Sequence, residues 1–363
     1  MEDRKYTQPY GGGLRRGFPP DTAPFVCVWR YRWPCPPQGQ TSARRKKGIA
    51  VTTKAIAPGG RRKTTYGAIA RQRQIIGVAF AMPAILGFLI FSVGPMVASL
   101  IFSFTEYKII SSPTWLGLGN YVRLFTGADP WFWPAVIATT KYVLMAVPAN
   151  LLFAFAIALL LNNEMKGRAI FRSIFYVPSI VPGVASSFVW MLMMNPTYGV
   201  FNLILKTLGL PTSQWIYAQN SVIPSLVFMG IFGTGSTMVI FLAGLQNIPR
   251  HYYEALEVDG GNSLHKFRYI TLPMISSTLF FNFVMGLIGA FQVFGSAYIM
   301  TQGGPNNASL FYVYNLWRTA FKYMEMGLAS AQAWILFIVI MIFSALVFRS
   351  SKLWVYYEGG QNG

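Results

Sequence analysis

The sequence predicts an all-α membrane protein with six transmembrane helices. Only 11% of the 363 residues are charged, whereas soluble domains carry about 25%. Hydrophobic residues make up 53% of the chain, with 29 Phe and 10 Trp. Six apolar stretches follow residue 73, and each is near the roughly 20 residues that a helix needs to cross a bilayer. These observations place the chain in the membrane class.

The six apolar stretches define the predicted spans. Their bounds are Ile75–Phe104, Pro134–Leu161, Ser173–Met194, Val222–Leu245, Met274–Thr301 and Gly327–Phe348. Prolines lie inside or at the edges of several spans, and a helix bundle tolerates them because neighbouring groups satisfy the freed backbone. We therefore expect a transmembrane domain over residues 71–357, followed by a short C-terminal tail, 358–363.

Residues 1–70 differ in composition from the rest of the chain. Residues 1–73 hold 16 Lys and Arg against three acidic residues, and they show no helical or strand period. This composition predicts a disordered, basic tail. Binding of nucleic acid by the tail is disfavoured, because a basic flank is typical of the cytoplasmic side of membrane proteins. No Met occurs between Met1 and Met82, so we hypothesise that part of residues 1–50 is an extension of the gene prediction.

Lysine and arginine counts orient the spans. With the tail in the cytoplasm, the inner loops carry eight of these residues and the outer loops five, before the tail is counted. The excess of positive charge marks the cytoplasmic side, so both termini are expected there. An interfacial aromatic belt is expected at the outer side, where five tryptophans fall: Trp115, Trp131, Trp133, Trp215 and Trp317.

A polar segment, Glu254–Pro273, lies between the fourth and fifth spans and is expected in the cytoplasm. Pro249 precedes a helix start, and Gly260 with Gly261 breaks that helix. Asn262 or Ser263 can cap a second helix, Leu264–Tyr269, which is expected to stop before Leu272-Pro273. We therefore predict two short helices in an L-shaped loop under the membrane, with a solvated loop as the simpler alternative.

This segment resembles a signature of the membrane subunits of bacterial ABC importers. The signature reads Glu-Ala-Ala, three residues, Gly, nine residues, Ile, one residue, Leu-Pro, and this sequence keeps every spacing. Asp259 before the Gly also resembles the family, whereas Leu256 replaces the second Ala, a change in bulk that a partner's pocket would have to absorb. The matching positions are Glu254, Ala255, Gly260, Ile270, Leu272 and Pro273.

The resemblance covers residues 75–357 and narrows to the carbohydrate-uptake branch, the permeases of the maltose, glycerol-phosphate and lactose type. It implies the ABC type I importer permease fold, in the bacterial plasma membrane, with the polar segment as a coupling helix that docks on an ATPase subunit. The implied partners are a second permease subunit, two ATPase subunits, an extracytoplasmic solute-binding protein and the lipid bilayer. Positions that resemble the branch include Gly167, Pro178, Trp190, Gly199, Asn202, Gly244, Gly303, Pro305 and Arg318.

The sequence contains no Gly-x-x-x-x-Gly-Lys-Ser/Thr phosphate-binding loop. We therefore expect the chain to bind no cofactor of its own, while ATP and Mg²⁺ bind to the partner ATPase subunits. No catalytic residue and no metal site are predicted, since the two histidines and two cysteines form no ligand pattern.

Lys141 is the one formal charge within a predicted span, about 10 Å from its outer end. Intramembrane ionisable residues are candidates for a transport path, but a lysine this close to the interface can also extend its ammonium group to it. Both interpretations stay open. Asn150, Asn282 and Gln292 are polar residues in spans that can either line the path or join helices.

The alternative to an importer subunit is a self-contained six-helix channel or secondary transporter. Ion-coupled carriers typically contain intramembrane acids or inverted repeats. Here all acidic residues lie outside the spans, and no internal repeat is evident. A membrane enzyme is a weaker third class, because the chain lacks a cluster of His, Asp and Glu near one leaflet.

Overall fold

The computed structural model describes residues 65–163 and 165–356, without the side chains of residues 65–70 and 72. The chain divides into two units, Met1–Ala68 and Ile69–Gly363. The predicted basic tail lies outside the described residues except for 65–70, which are already helical. The predicted C-terminal tail also lies outside the described residues. So do residues 1–50, which the hypothesis of an extended gene prediction concerns.

Helices form most of the described chain. The α-helices are α1 Thr65–Phe88, α2 Gly94–Ser103, α3 Gly119–Phe125, α4 Phe132–Asn162, α5 Arg168–Ile180, α6 Gly183–Met193, α7 Val200–Thr207, α8 Val222–Phe232, α9 Gly235–Gln246, α10 Arg250–Val258, α11 Ser263–Lys266, α12 Leu272–Met274, α13 Ser276–Phe291, α14 Tyr312–Trp317 and α15 Met326–Trp354. Wider π-helical turns lie at Leu89–Val93, Phe267–Thr271, Ala297–Thr301 and Arg318–Lys322, and a 3₁₀ turn at Trp215–Tyr217.

Three helical stretches are long and apolar enough to cross a membrane: Arg73–Ser103, Phe132–Asn162 and Met326–Trp354. Three further candidate spans are bent pairs. The bends are 101° between α5 and α6, 51° between α8 and α9, and 61° between the α11–α12 stretch and α13. The described residues thus hold up to six spans, which agrees with the six predicted from the sequence.

The bends correct the prediction that each span is one helix. In the third span, Val181 is extended (ψ 130°) and Pro182 precedes α6. Proline lacks an N–H and disfavours a helical residue before it, so the helix is interrupted there. The fifth span also ends earlier than predicted, because α13 ends at Phe291 rather than near Thr301.

Helix α4 is the centre of the bundle, and α8, α9 and α13 pack against it. Its 31 residues span about 45 Å. The N-terminal half joins a buried cluster that includes Ala138, Tyr142 and Phe311. The C-terminal half joins a second cluster that includes Phe155 and Leu161. The two clusters therefore mark opposite ends of one helix.

The aromatic residues predicted at the outer side concentrate at the N-terminal end of α4. Trp131, Trp215 and Trp317 all pack against the cluster at that end. The guanidinium carbon of Arg318 lies 5.0 Å from the ring centre of Trp131 and 5.5 Å from that of Tyr323. Such cation–π contacts fix the loop before α15 against the start of α4.

A two-stranded antiparallel sheet between the first and second spans is absent from the sequence prediction. Strands β1 Thr105–Glu106 and β2 Thr114–Trp115 pair with Thr105 opposite Trp115. The buried Asn120 of α3 donates from Nδ2 to the carbonyl oxygens of Ser103 and Thr105, each at 2.9 Å. The strands are too short for a periodic pattern to reveal them.

Asn202 organises the loop that follows α7. Its Nδ2 donates to the carbonyls of Pro196 and Ser213, at 2.9 and 2.8 Å. Its Oδ1 accepts from the Ser213 N–H at 3.1 Å and from the Trp215 indole Nε1–H at 2.9 Å. With 2% of its own surface exposed, this side chain satisfies four partly buried polar groups.

We expect Asn202→Leu to lower the free energy of unfolding by about 3 kcal/mol, because several buried polar groups lose their partners. Chemical denaturation of the detergent-solubilised protein measures the change. Asn163→Leu is the matched control, since Asn163 is exposed at the end of α4. Equal stabilities of the two variants would contradict this role for Asn202.

Candidate functional site

The predicted L-shaped loop is present, and its first arm is α10. Pro249 stands immediately before the helix in an extended conformation (ψ 133°), as predicted. The helix ends in a Schellman arrangement, in which the Gly260 N–H bonds the Glu257 carbonyl at 3.0 Å and the Gly261 N–H bonds the Leu256 carbonyl at 2.8 Å. Gly260 has φ +79°, a conformation that glycine adopts without steric cost.

The second arm begins at Asn262, whose side chain accepts the His265 N–H at 2.9 Å. The His265 Nδ1 accepts the Asn262 N–H in return, at 3.3 Å, so the two residues form a reciprocal cap. The sequence predicted this cap, with Asn262 or Ser263 in that role. The structure assigns it to Asn262.

The second arm continues further than predicted. After α11, a π-helical turn over Phe267–Thr271 leads directly into α12, which contains Leu272 and Pro273. The prediction that the helix stops before Leu272-Pro273 is therefore wrong. In the wider π turn the Leu272 N–H bonds the Phe267 carbonyl, and proline fits the next position because the first turn of a helix needs no N–H there.

Contacts between the two arms fix the angle of the L. The Tyr253 hydroxyl lies 3.1 Å from the Thr271 Oγ1, and Glu257 forms an ion pair with Lys266. Tyr253 also packs against the buried cluster at the C-terminal half of α4. Neither Tyr253 nor Thr271 was singled out in the sequence, because the two residues are 18 positions apart and no local pattern joins them.

Leu256 points into the protein rather than towards a partner. It is half-buried and packs against the cluster that contains Phe155, Phe241 and Ile270. Its Cγ also fills the space beside Gly261, where an added Cβ would lie only 2.5 Å away. The chain therefore accommodates part of the bulk of Leu256 itself, and contact of its exposed part with a partner's pocket stays a prediction.

The remaining signature residues are exposed on the first arm and differ in exposure on the second. Glu254, Ala255, Asp259 and Gly260 are exposed on the first arm and its end. Ile270 is buried with 9% exposure, whereas Leu272 is exposed to 41% and Pro273 is half-buried. Within the described residues Glu254 has no hydrogen-bond or ion-pair partner, so its carboxylate is free to meet another molecule.

The other predicted residues lie apart from the loop. Lys141 is exposed and lines a cleft at the N-terminal half of α4. Asn150 is half-buried, with its side chain near Gly230 of α8 and with a buried Oδ1 that lacks a partner in the part of the chain described. Asn282 is buried and donates to the Thr278 carbonyl of its own helix at 3.1 Å, and Gln292 is exposed at the end of α13.

The sites thus fall into two groups at opposite ends of α4. The loop lies against its C-terminal half, and the cleft with Lys141 lies at its N-terminal half. Within residues 65–163 and 165–356, no group of three or more His, Cys, Asp or Glu is placed to hold a metal ion.

Comparison with known proteins identifies the fold and the family. Residues 142–354 match the family described as binding-protein-dependent transport system inner membrane component. A probable ABC transporter permease protein, YesP of Bacillus subtilis, is 42% identical over 292 residues, which cover 79% of this chain and 94% of that protein. The trehalose/maltose transport system permease protein MalF of Thermococcus litoralis is 29% identical, covering 76% and 94%.

Two further likenesses extend this comparison. The arabinooligosaccharides transport system permease protein AraP of Bacillus subtilis is 30% identical over 280 residues, which cover 75% of this chain and 87% of that protein. In a solved structure of a bacterial ABC transporter involved in the import of the acidic polysaccharide alginate, one chain is 21% identical, with TM-score 0.70 and coverage of 79% and 99%. At that identity the likeness shows the shared fold alone.

Proposed function

The chain belongs to the family of binding-protein-dependent transport system inner membrane components, and from this membership we propose that it is the permease subunit of an ATP-driven importer for a carbohydrate-like solute. The carbohydrate class is supported by relatives named for the transport of trehalose, maltose and arabinooligosaccharides. Family membership also favours an importer subunit over a self-contained channel or secondary transporter.

We propose that the loop 250–273 couples the permease to an ATPase subunit. The observation that carries this proposal is the division of the signature residues. Glu254, Ala255 and Asp259 face outward, while Tyr253 and Leu256 attach the loop to the cluster at the end of α4. A loop fastened on one face and open on the other transmits movement of a docked partner to the helices behind it.

The complete transporter would contain this chain, a second permease subunit, two ATPase subunits and an extracytoplasmic solute-binding protein. ATP and Mg²⁺ would bind to the ATPase subunits, since this sequence has no phosphate-binding loop. Closure of the ATPase subunits would shift the permease between inward-open and outward-open states. Both termini and the loop would lie in the cytoplasm of a bacterial plasma membrane, as the distribution of Lys and Arg indicates.

Charge reversal at the exposed carboxylate tests the coupling role. We expect Glu254→Lys to lower ATP-driven uptake at least about tenfold, because a lost or reversed charge contact at an interface costs about 2 kcal/mol or more. Uptake into proteoliposomes and retention of the ATPase on a tagged permease are the measurements. The matched control is Glu106→Lys, which reverses an exposed carboxylate in the hairpin that follows α2.

Gly260→Arg tests the coupling role through backbone strain and added bulk rather than through charge reversal. Its Cβ would meet no atom within 4 Å, but φ is +79°, so the substitution strains the loop end and adds bulk to the exposed face. We expect it to uncouple ATP hydrolysis from uptake. Normal uptake by both loop variants, with normal amounts of folded permease, would refute the docking role.

A further inference from the structure

A cleft of about 610 Å³ opens at the end of α4 remote from the coupling loop. Its walls come from the N-terminal half of α4, the start of α8 and the loop before α14. Volumes between about 300 and 1,000 Å³ are typical of sites for small molecules. The charged and amide side chains that line it are Lys141, Gln219, Asn220, Asn306 and Asn307.

The charged side chain that lines the cleft is positive. Lys141 is the only charged residue of α4, and among the residues that the structure describes no Asp or Glu lines the cleft. Within the described residues the Lys141 ammonium group has no ion-pair partner. It lies nine residues after Phe132, or about 14 Å along the helix, where an unpaired charge is costly in a membrane. Most of the cleft lining is apolar, and four amide side chains provide its other polar side-chain groups.

The other polar groups of the cleft are amides from two separate segments. Gln219 and Asn220 precede α8, and Asn306 and Asn307 precede α14. The Asn306 Nδ2 lies 3.4 Å from the Gln219 Oε1, which connects the two segments. A side-chain amide offers both donors and an acceptor, so four of them together suit a ligand rich in hydroxyl groups.

The loop that carries two of these amides has an unusual backbone. Asn306 and Asn307 have φ values of +49° and +59°, a region that non-glycine residues occupy at some cost and mostly where surrounding contacts require it. The Ser309 hydroxyl, buried behind them, contacts the Thr301 Oγ1 at 2.7 Å and the Gly304 carbonyl at 2.5 Å. These contacts hold the two asparagines in place beside the cleft.

We infer that this cleft is a subsite for an acidic sugar unit, with the Lys141 ammonium group on its carboxylate and the amides on its hydroxyls. The inference rests on the proposed transport of a carbohydrate and narrows the substrate class to oligosaccharides that contain uronic acids. An unpaired cation without a neighbouring carboxylate favours an anion, and the surrounding amides favour a polyhydroxylated one. An anionic lipid headgroup is the competing occupant, and it would engage Lys141 while leaving most of the amides without hydroxyl partners.

The test uses the complete transporter, purified through a tag on this chain and reconstituted into vesicles. The probes are labelled uronate oligosaccharides from partial hydrolysis of polygalacturonate and of alginate, and the same mixtures after chemical reduction of the carboxylates to neutral alcohols. We expect Lys141→Met to raise the apparent KM for the uronate probes about tenfold, as expected for a lost charge-assisted hydrogen bond. The neutral probes should be unaffected, and Lys141→Arg should retain transport of the acidic ones.

Lys206→Met is the matched control, because Lys206 is exposed on α7 and does not line the cleft. An equal effect of Lys141→Met on acidic and neutral probes, or no effect, would overturn the inference. So would an effect that appears only when phosphatidylglycerol is added to phosphatidylcholine vesicles, which would indicate a lipid site. Transport of neutral probes alone would refute this inference and leave the proposed function intact, whereas failure of every sugar to be transported would refute both.

Discussion

Gly261→Val is expected to abolish ATP-driven uptake, because it removes the only residue type that fits at the corner of the coupling loop. An added Cβ would lie 2.5 Å from the Leu256 Cγ and 2.8 Å from the Leu256 carbonyl oxygen. That carbonyl accepts the Gly261 N–H at 2.8 Å, so the second contact cannot relax without breaking the hydrogen bond that closes α10. The two arms of the L would then separate, and Glu254 would lose its orientation.

Uptake by proteoliposomes is the measurement, with Gly77→Val as the matched control, since a Cβ at Gly77 would meet no atom within 4 Å. A double-mutant cycle separates the two contacts. We expect Gly261→Ala to impair coupling and Gly261→Ala with Leu256→Ala to recover part of it, because only the side-chain contact is relieved. Full activity of Gly261→Val would show that the corner tolerates another conformation.

The same pair of residues shows why Leu256 departs from the family signature without loss of the loop. In a Schellman ending, an apolar contact commonly joins the residue after the left-handed position to the last turn of the helix. Here Gly261 contributes no side chain, and Leu256 fills the vacant space and reaches the buried cluster. The larger residue and the glycine therefore compensate for each other within the chain.

The sequence was sufficient for those features that depend on composition and local chemistry. Apolar length identified six spans, Gly260 with Gly261 predicted the end of the first arm, and capping chemistry placed the start of the second arm at Asn262 or Ser263. Each of these depends on residues close together in the chain. The bend after α5 also had a local signal, since Pro182 follows Val181, but hydropathy alone treats both sides of a break as one span.

Other features depend on residues far apart and could not be predicted. The Tyr253–Thr271 contact joins the arms of the loop, and the cleft joins α4 to segments near residues 220 and 306. Whether Lys141 faces such a cleft depends on the rotation of α4 about its axis and on the position of the neighbouring loops. The sequence of one span alone determines neither. The contact of Leu256 with the buried cluster could not be predicted for the same reason, because it depends on helices that are distant in the sequence.

At the bend between α8 and α9, the start of α9 packs closely against α5. Gly235 begins α9 directly after the break that ends α8, and it is buried against α5. An added Cβ would lie 2.6 Å from the Phe175 carbonyl oxygen and 2.9 Å from the Tyr176 Cα. Both atoms belong to the backbone of α5, so neither can move aside by changing a rotamer.

Gly235→Val is therefore expected to prevent close approach of α5 and α9 and to reduce the folded permease to a small fraction of the wild-type amount. Overpacking of a buried site costs about 1–3 kcal/mol or more, and here the obstacle is rigid. Size-exclusion chromatography of a fluorescently tagged chain measures the folded amount. Gly183→Val is the matched control. Gly183 begins α6 after the bend between α5 and α6, and an added Cβ there would meet no described atom within 4 Å.

Gly244, also on α9, faces a side chain rather than backbone. It therefore tests whether backbone contact explains the effect at Gly235. At Gly244 an added Cβ would lie 2.7 Å from the Thr278 Oγ1 and 3.3 Å from two other atoms of that side chain. Because this obstacle is a side chain, Thr278→Ala should restore much of the folding lost in Gly244→Ala. At Gly235 the Ser179 Oγ is the one side-chain atom among the three atoms nearest to an added Cβ, and Ser179→Ala should not rescue Gly235→Val. Rescue in the second case would mean that α5 and α9 meet through side chains rather than through their backbones.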